Sequence, residues 1–183
     1  MKRIVLFLML ALMTMPAFAA KPLRSGLYIN TKVGLMRAEM KREGKRKEDV
    51  VFPFAFALGL RLRNFRIEAE YAFATKAKSD KYEQQTDTIF GQLYYDIPFK
   101  SPIRPYFNVG GGRHNSTVKE KDVFKENCHG WAWNIGGGVT WNISNAVNLD
   151  LGYRYLDIGD FKTQKGTVKT AHHFVYIGWR YVF

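Results

Sequence analysis

From position 27 onward the chain alternates between apolar and polar residues. Apolar side chains occupy every second position in eight runs: 27–35, 52–62, 65–73, 89–97, 105–112, 131–141, 147–155 and 174–183. A period of two marks β-strands whose two faces meet different surroundings. No convincing helical period competes with it. Long and short connections alternate between the runs. Residues 37–49, 75–87, 113–130 and 157–170 make the long ones; Arg63-Asn64, 98–102 and Ser144-Asn145 make the short ones. Eight such strands predict an all-β fold, an eight-stranded antiparallel up-and-down barrel.

The two strand faces say what the barrel sits in. One face is apolar and rich in aromatic residues. The other carries Lys32, Arg61, Arg66, Arg154 and Arg180 together with Glu68, Glu70, Asp96 and Asp150. Five cations and four anions nearly balance. Inside a narrow lumen they pair. On a lipid-facing wall each Lys or Arg near the midplane costs about 2–4 kcal/mol. The charged face is therefore expected inside, as a lumen charge network, and the apolar face toward lipid. Phe65, Tyr95, Trp141, Tyr181 and Phe183 fall near the short-turn end of that outer face. Tyr71, Phe73, Trp131, Trp133 and Tyr155 fall near the long-loop end. Two aromatic belts suit two membrane interfaces. Gly34, Gly59, Gly110, Gly112, Gly136, Gly138, Gly152 and Gly178 lie on the inner face and leave room for long lumen side chains. Eight strands enclose just enough space for side chains to fill, so a plugged transmembrane barrel is expected.

The first twenty residues follow another rule. Met1-Lys2-Arg3 precedes an apolar run, Ile4 to Phe18, and Ala17-Phe18-Ala19 fits a small-x-small cleavage site. Residues 1–19 are expected to be a cleaved signal peptide and 20–183 the barrel domain. Cleavage would lower the formal charge from +12 to +10. Export changes what that charge means, since a secreted basic chain has little access to genomic DNA. The charge is also spread over lumen, turns and loops, so no nucleic-acid partner is expected. Cys128 has no second cysteine to pair with and reads as an incidental loop thiol.

Three segments carry a resemblance. They are Gly26-Leu27-Tyr28-Ile29-Asn30-Thr31-Lys32-Val33-Gly34, Leu151-Gly152-Tyr153-Arg154-Tyr155-Leu156-Asp157, and the ending Gly178-Trp179-Arg180-Tyr181-Val182-Phe183. In their order and positions the chain resembles the opacity-type and OmpA-type eight-stranded outer-membrane proteins, a porin-family group of surface antigens. The resemblance implies a place in the bacterial outer membrane, with extracellular loops and contact with outer-membrane lipid and lipopolysaccharide. It implies a C-terminal signal for the barrel-assembly machinery at Val175, Ile177, Trp179, Tyr181 and Phe183. It does not extend to a periplasmic peptidoglycan-binding domain, so no wall-tethering role is expected.

Candidate chemistry is sparse. Lys41, Arg42, Lys45, Arg46 and Lys47 crowd the first long connection and form a possible anion-binding loop, although Glu39, Glu48 and Asp49 offset part of the charge. His114, His129, His172 and His173 show no zinc-type spacing, so no metal site is expected and the histidines are placed in loops and at the rim. His114 lies near Ser116, but without a closer match to lipid-modifying barrel enzymes. No catalytic residue and no cofactor are expected. The sequence points to a non-enzymatic barrel with a structural and adhesin-like role, its loops meeting host or environmental surface ligands. A small porin or hydrophobic-solute channel is the alternative, and a lipid-modifying enzyme the more remote one.

Overall fold

The computed structural model describes residues 25–42, 45–74, 77–79, 82–98, 100–120, 124–163 and 166–183. The expected signal peptide lies outside the described residues. The strands are β1 (Gly26–Arg42), β2 (Lys45–Val51), β3 (Pro53–Leu62), β4 (Phe65–Ala74), β5 (Ala77–Ser79), β6 (Tyr82–Asp96), β7 (Ile103–Glu120), β8 (Phe124–Asn142), β9 (Val147–Thr163) and β10 (Gly166–Val182).

They form one antiparallel sheet in the order β10-β9-β8-β7-β6-β4-β3-β1-β2, with β5 against β6. β10 also pairs with β1, which closes the sheet into a barrel. β2 continues β3: Met36 opposes Val51 and Val33 opposes Phe54 in one unbroken register, with only Phe52 between the two strands. Eight staves therefore surround the lumen, as the alternation predicts.

The polarity of the wall is inverted relative to a soluble protein. Side chains of β3 alternate buried and exposed without interruption. The exposed ones include Phe54, Phe56, Leu58 and Leu60, while Arg61 at the buried phase is 1 % accessible. The same phase holds in β4, where Arg66, Glu68 and Glu70 are inside and Ile67 and Tyr71 outside. No helix among the described residues is long and apolar enough to cross a membrane. A closed barrel does so with strands because every backbone donor and acceptor is paired within the wall.

The long connections depart from the expectation. They are not loops over most of their length but continued antiparallel ladders. β7 and β8 stay in register from Ile103↔Trp141 to Glu120↔Phe124. β1 and β2 stay paired out to Arg42↔Lys45. At about 3.3 Å per residue, the 19 residues of β8 extend roughly 60 Å. That is about twice the ten or so residues of a tilted crossing. Beyond the apolar band the sequence is largely polar at successive positions. Hydropathy stops alternating there, while the backbone still gains by pairing with itself.

The opposite end is tight. Arg63 bridges β3 and β4 at φ 54°, a left-handed conformation uncommon outside glycine. Its N–H donates to Ser25 Oγ at 3.2 Å. Ser144 Oγ accepts from the N–H groups of Ala146 and Val147 at 3.2 and 3.0 Å and so shapes the turn into β9.

Candidate functional site

Alternation sends one residue in two of every stave into the lumen, and an eight-stranded interior makes them meet. Glu68 and Glu70 come from β4, Lys32 from β1 and Arg154 from β9. Lys32 Nζ donates to Glu68 Oε2 at 2.5 Å, to Glu70 Oε2, and to the Tyr94 hydroxyl at 2.8 Å. Its three protons thus have three acceptors. Arg154 donates from Nη1 to Glu70 Oε1 at 2.6 Å and from Nη2 to Tyr94 at 2.9 Å. Glu68 accepts further bonds from the Tyr28 hydroxyl at 2.9 Å and Asn30 Nδ2 at 3.2 Å. All these groups are almost fully enclosed. Buried charges persist only when paired and hydrogen-bonded, and this group meets both conditions.

Toward the short turns lies a second group. Arg61 Nη2 donates to Asp96 Oδ2 at 2.5 Å. Arg66 sits 2.9 Å from Asp96 Oδ1 and 3.3 Å from Asp150 Oδ2, and Arg180 is also 3.3 Å from that Asp150 oxygen. Thr140 donates to Asp150 Oδ1 at 2.6 Å. All nine lumen charges singled out in the sequence are thus inside, in two clusters joined by the 3.9 Å approach of Arg66 to Glu68. A tenth, Arg104 of β7, is inside too and escaped the sequence reading because its strand was expected to begin at Pro105.

Four tyrosines complete the filling. Tyr94 and Tyr106 pack with ring centroids 5.7 Å apart, and the hydroxyls of Tyr106 and Tyr176 lie 2.9 Å apart. Arg66 stacks its guanidinium over both Tyr94 and Tyr106, and Arg180 lies over Tyr28. Their bulk requires the glycines. A side chain at Gly59 would collide with Tyr28, and one at Gly152 with Tyr106 and Tyr176. The sequence placed these tyrosines on the inner face but gave no sign of their partners.

Above the charge network, Phe90, Ala132 and Leu156 form a small apolar layer. His114 and His172 are buried nearby in the barrel wall's inner face. The loop placement expected for His114 is corrected, since it lies on β7 opposite Thr88 and Gly130. Cys128 likewise belongs to β8, opposite Ser116, and not to a loop. His129 is exposed, 3.3 Å from Asn115 Oδ1. His173 faces outward against Tyr153, 2.6 Å from its hydroxyl. No group of three metal-ligating side chains occurs among the described residues.

The outer wall carries Trp131, Trp133 and Tyr71 at one height and Phe65, Tyr95, Trp141, Tyr181 and Phe183 at the other, all exposed. Between them lie Leu58, Ile67, Leu93, Val109, Ile135 and Leu151, also exposed. A closed ring with a charged, packed lumen and an apolar coat between aromatic belts suits a bilayer. Residues 5–183 match the family model described as the outer membrane protein beta-barrel domain. The chain belongs to that family.

Several solved structures share this architecture. Neisserial surface protein A superposes with a TM-score of 0.72 at 20% identity, covering 87% of this chain and 98% of its own. Ail, the attachment invasion locus protein of Yersinia pestis, gives 0.53 at 15% identity, covering 86% and 100%. Ail in complex with the heparin analogue sucrose octasulfate gives 0.52 at 14% identity, covering 85% and 99%. At these identities the likeness establishes the common barrel. Among curated protein sequences no match to the chain is found.

The basic residues of the first hairpin are placed by backbone register. Lys41 opposes Arg46, and Arg42 opposes Lys45. On its other side Lys41 opposes Lys169 of β10. Three strands thus bring three basic residues into one row, while Glu39 and Glu48 oppose each other two positions nearer the barrel.

Proposed function

We propose that this outer-membrane barrel has a structural and surface-interaction role, anchoring in lipid by its aromatic coat and recognising ligands through its long hairpins at the cell exterior. The observation that carries this is the filled lumen. Lys32, Arg154, Glu68, Glu70, Tyr94, Tyr106 and Tyr176 occupy the space a solute would need, and most of their polar atoms are engaged. With the interior occupied, the extended surface outside lipid among the described residues is the set of paired hairpins at one end. Extended, well-positioned hairpins of this kind are where binding specificity resides on rigid scaffolds.

The favoured ligand class is anionic. The row Lys169, Lys41 and Arg46 continues to Asp160 of β9 opposite Lys169, so it carries three basic residues against one acidic one and a net positive charge that an anion would complement. Sulfated glycan and lipopolysaccharide phosphate both supply such an anion. The heparin-analogue complex of Ail supports the same choice, as a property of a protein with this fold.

Two measurements test the proposal. In planar bilayers the inserted barrel is expected to be electrically silent; frequent, stable channel steps would favour the porin alternative. On immobilised heparin, reversing the charge of Lys41, Arg42, Lys45, Arg46 and Lys47 together is expected to abolish a salt-sensitive retention. Retention equal to that of the parent protein would remove the hairpin from the recognition surface.

A further inference from the structure

The lipid-facing wall is not evenly coated. Most of its outward positions hold Leu, Ile, Val or an aromatic residue. One row is different. Ala69 of β4 opposes Gly91 of β6, Gly91 opposes Gly111 of β7, and Gly111 opposes Trp133 of β8. A Cβ at Gly111 would meet nothing within 4 Å, and one at Gly91 only the Gly111 carbonyl oxygen at 3.8 Å. Two neighbouring strands thus show bare backbone to the membrane. Ile67, Leu93 and Val109 stand beside this floor and with it bound an open groove of about 370 Å³. Sites for small molecules span about 300–1,000 Å³.

The upper end of the groove leads to a cation. Arg113 lies two positions beyond Gly111 on the same outward face of β7, about 7 Å along the strand. It opposes Trp131 of the aromatic belt, and its guanidinium is 5.9 Å from that ring's centroid. Asp87 of β6 and Asp157 of β9 face the same side of the wall, yet among the described residues neither forms an ion pair with Arg113. Its donors therefore stand at the level of the lipid headgroups, without a protein carboxylate to take them.

The occupant follows from the surroundings. Bare backbone facing a void forfeits its dispersion contacts, so a groove inside the bilayer favours whatever flexible chain fills it. A second copy docked by the same face would bring its own Arg113 to the same height and set like charges together. A lipid carries the needed parts in the needed order, an apolar chain below and a phosphate above. We propose that the wall formed by β4, β6 and β7 holds one anionic, phosphate-bearing membrane lipid, with an acyl chain over Gly91 and Gly111 and its phosphate accepting from Arg113. Guanidinium suits this role because its parallel N–H donors match phosphate oxygens. The site lies on the wall and is independent of whatever the hairpins bind.

The probe is phosphatidylglycerol brominated on its acyl chains, diluted into unbrominated phosphatidylcholine vesicles holding the refolded barrel. Trp131→Phe, Trp141→Phe and Trp179→Phe leave Trp133, beside Gly111, as the single tryptophan. Brominated phosphatidylglycerol is expected to quench Trp133 at a several-fold lower mole fraction than brominated phosphatidylcholine, whose phosphate charge is offset by its own ammonium group. In Arg113→Gln the two lipids are expected to quench alike. Filling the floor with Gly91→Leu and Gly111→Leu, for which both Cβ positions are open, is expected to abolish the preference as well. The heat-induced gel shift checks that each variant has folded. Equal quenching by the two lipids in the parent, or a preference that survives in either variant, overturns the proposal. So does a dimer in native mass spectrometry that is lost when the floor is filled, since the groove would then belong to a second copy. If the single-tryptophan protein does not fold, native mass spectrometry of the parent from mixed lipid replaces it. One phosphatidylglycerol retained by the parent and none by the filled variant is then expected, and equal retention of the two lipids refutes the site.

Discussion

Glu70 is the residue on which the upper lumen turns, because among the described residues it is the carboxylate that touches both Lys32 and Arg154. Glu70→Gln keeps the shape and removes the charge. Lys32 and Arg154 then share Glu68, which already lies 2.5 Å from Lys32 and accepts from Tyr28. Breaking a buried pair from one side costs about 3–5 kcal/mol, because a cation is left without compensation. Removing the surplus cation as well, in Glu70→Gln with Arg154→Met, restores one cation to one anion. The double variant is therefore expected to be more stable than the single one. The assay is urea unfolding of the refolded protein in phospholipid vesicles, followed by tryptophan fluorescence from the outward-facing Trp131, Trp133, Trp141 and Trp179. A single-variant loss below about 1 kcal/mol, the value of an exposed pair, would refute the buried network. So would simple additivity of the two losses, since groups in one network must couple.

Glycines give a paired prediction by the same assay. A Cβ at Gly152 would sit 2.3 Å from the Tyr106 hydroxyl, whereas one at Gly111 meets nothing within 4 Å. Gly152→Ala is expected to lose about 1–3 kcal/mol through overpacking, and Gly111→Ala to lose little or nothing. Depth along the wall gives another: Leu58→Arg, opposite Ala69 midway between the aromatic belts, is expected to lose about 2–4 kcal/mol, and Leu62→Arg at the turn about 0–1. Equal losses would mean that the belts do not mark the bilayer. Deleting Phe183 is expected to lower the amount of heat-shifting barrel in outer-membrane fractions; an unchanged yield would argue against a terminal assembly signal.

The phase of every stave was legible from alternation alone, because lipid and lumen impose opposite polarities on successive residues. The lengths were not. From Arg113 to Gly130 and from Asp157 to Thr170 the residues are polar on both faces, so the ladder continues without a hydropathy signal. The charged lumen residues were legible as a set, since Arg61 and Arg66 stand out in otherwise apolar runs. Their partners were not, because Arg154 meets Glu70 across 84 residues through the stagger of a closed sheet. Alternation put Tyr28, Tyr94, Tyr106 and Tyr176 on the inner face, but nothing in the sequence showed what they would pack against. His114 was assigned to a loop because its surroundings are polar; its ladder partners Thr88 and Gly130 come from other strands and are distant in sequence.

The join between β1 and β10 has a consequence for lifetime. Val182 opposes Tyr28, and the Phe183 N–H donates to Leu27 O at 2.9 Å, so the first and last staves are one continuous wall. A sheet with ends can fray one strand at a time. Here the departure of any stave would strip two neighbours at once and leave rows of unpaired N–H and C=O groups in hydrocarbon, each costing several kcal/mol. Partial opening is therefore steep from its first step. Once formed, such a ring persists because escape is slow, and its survival is set by the rate of unfolding more than by its equilibrium stability.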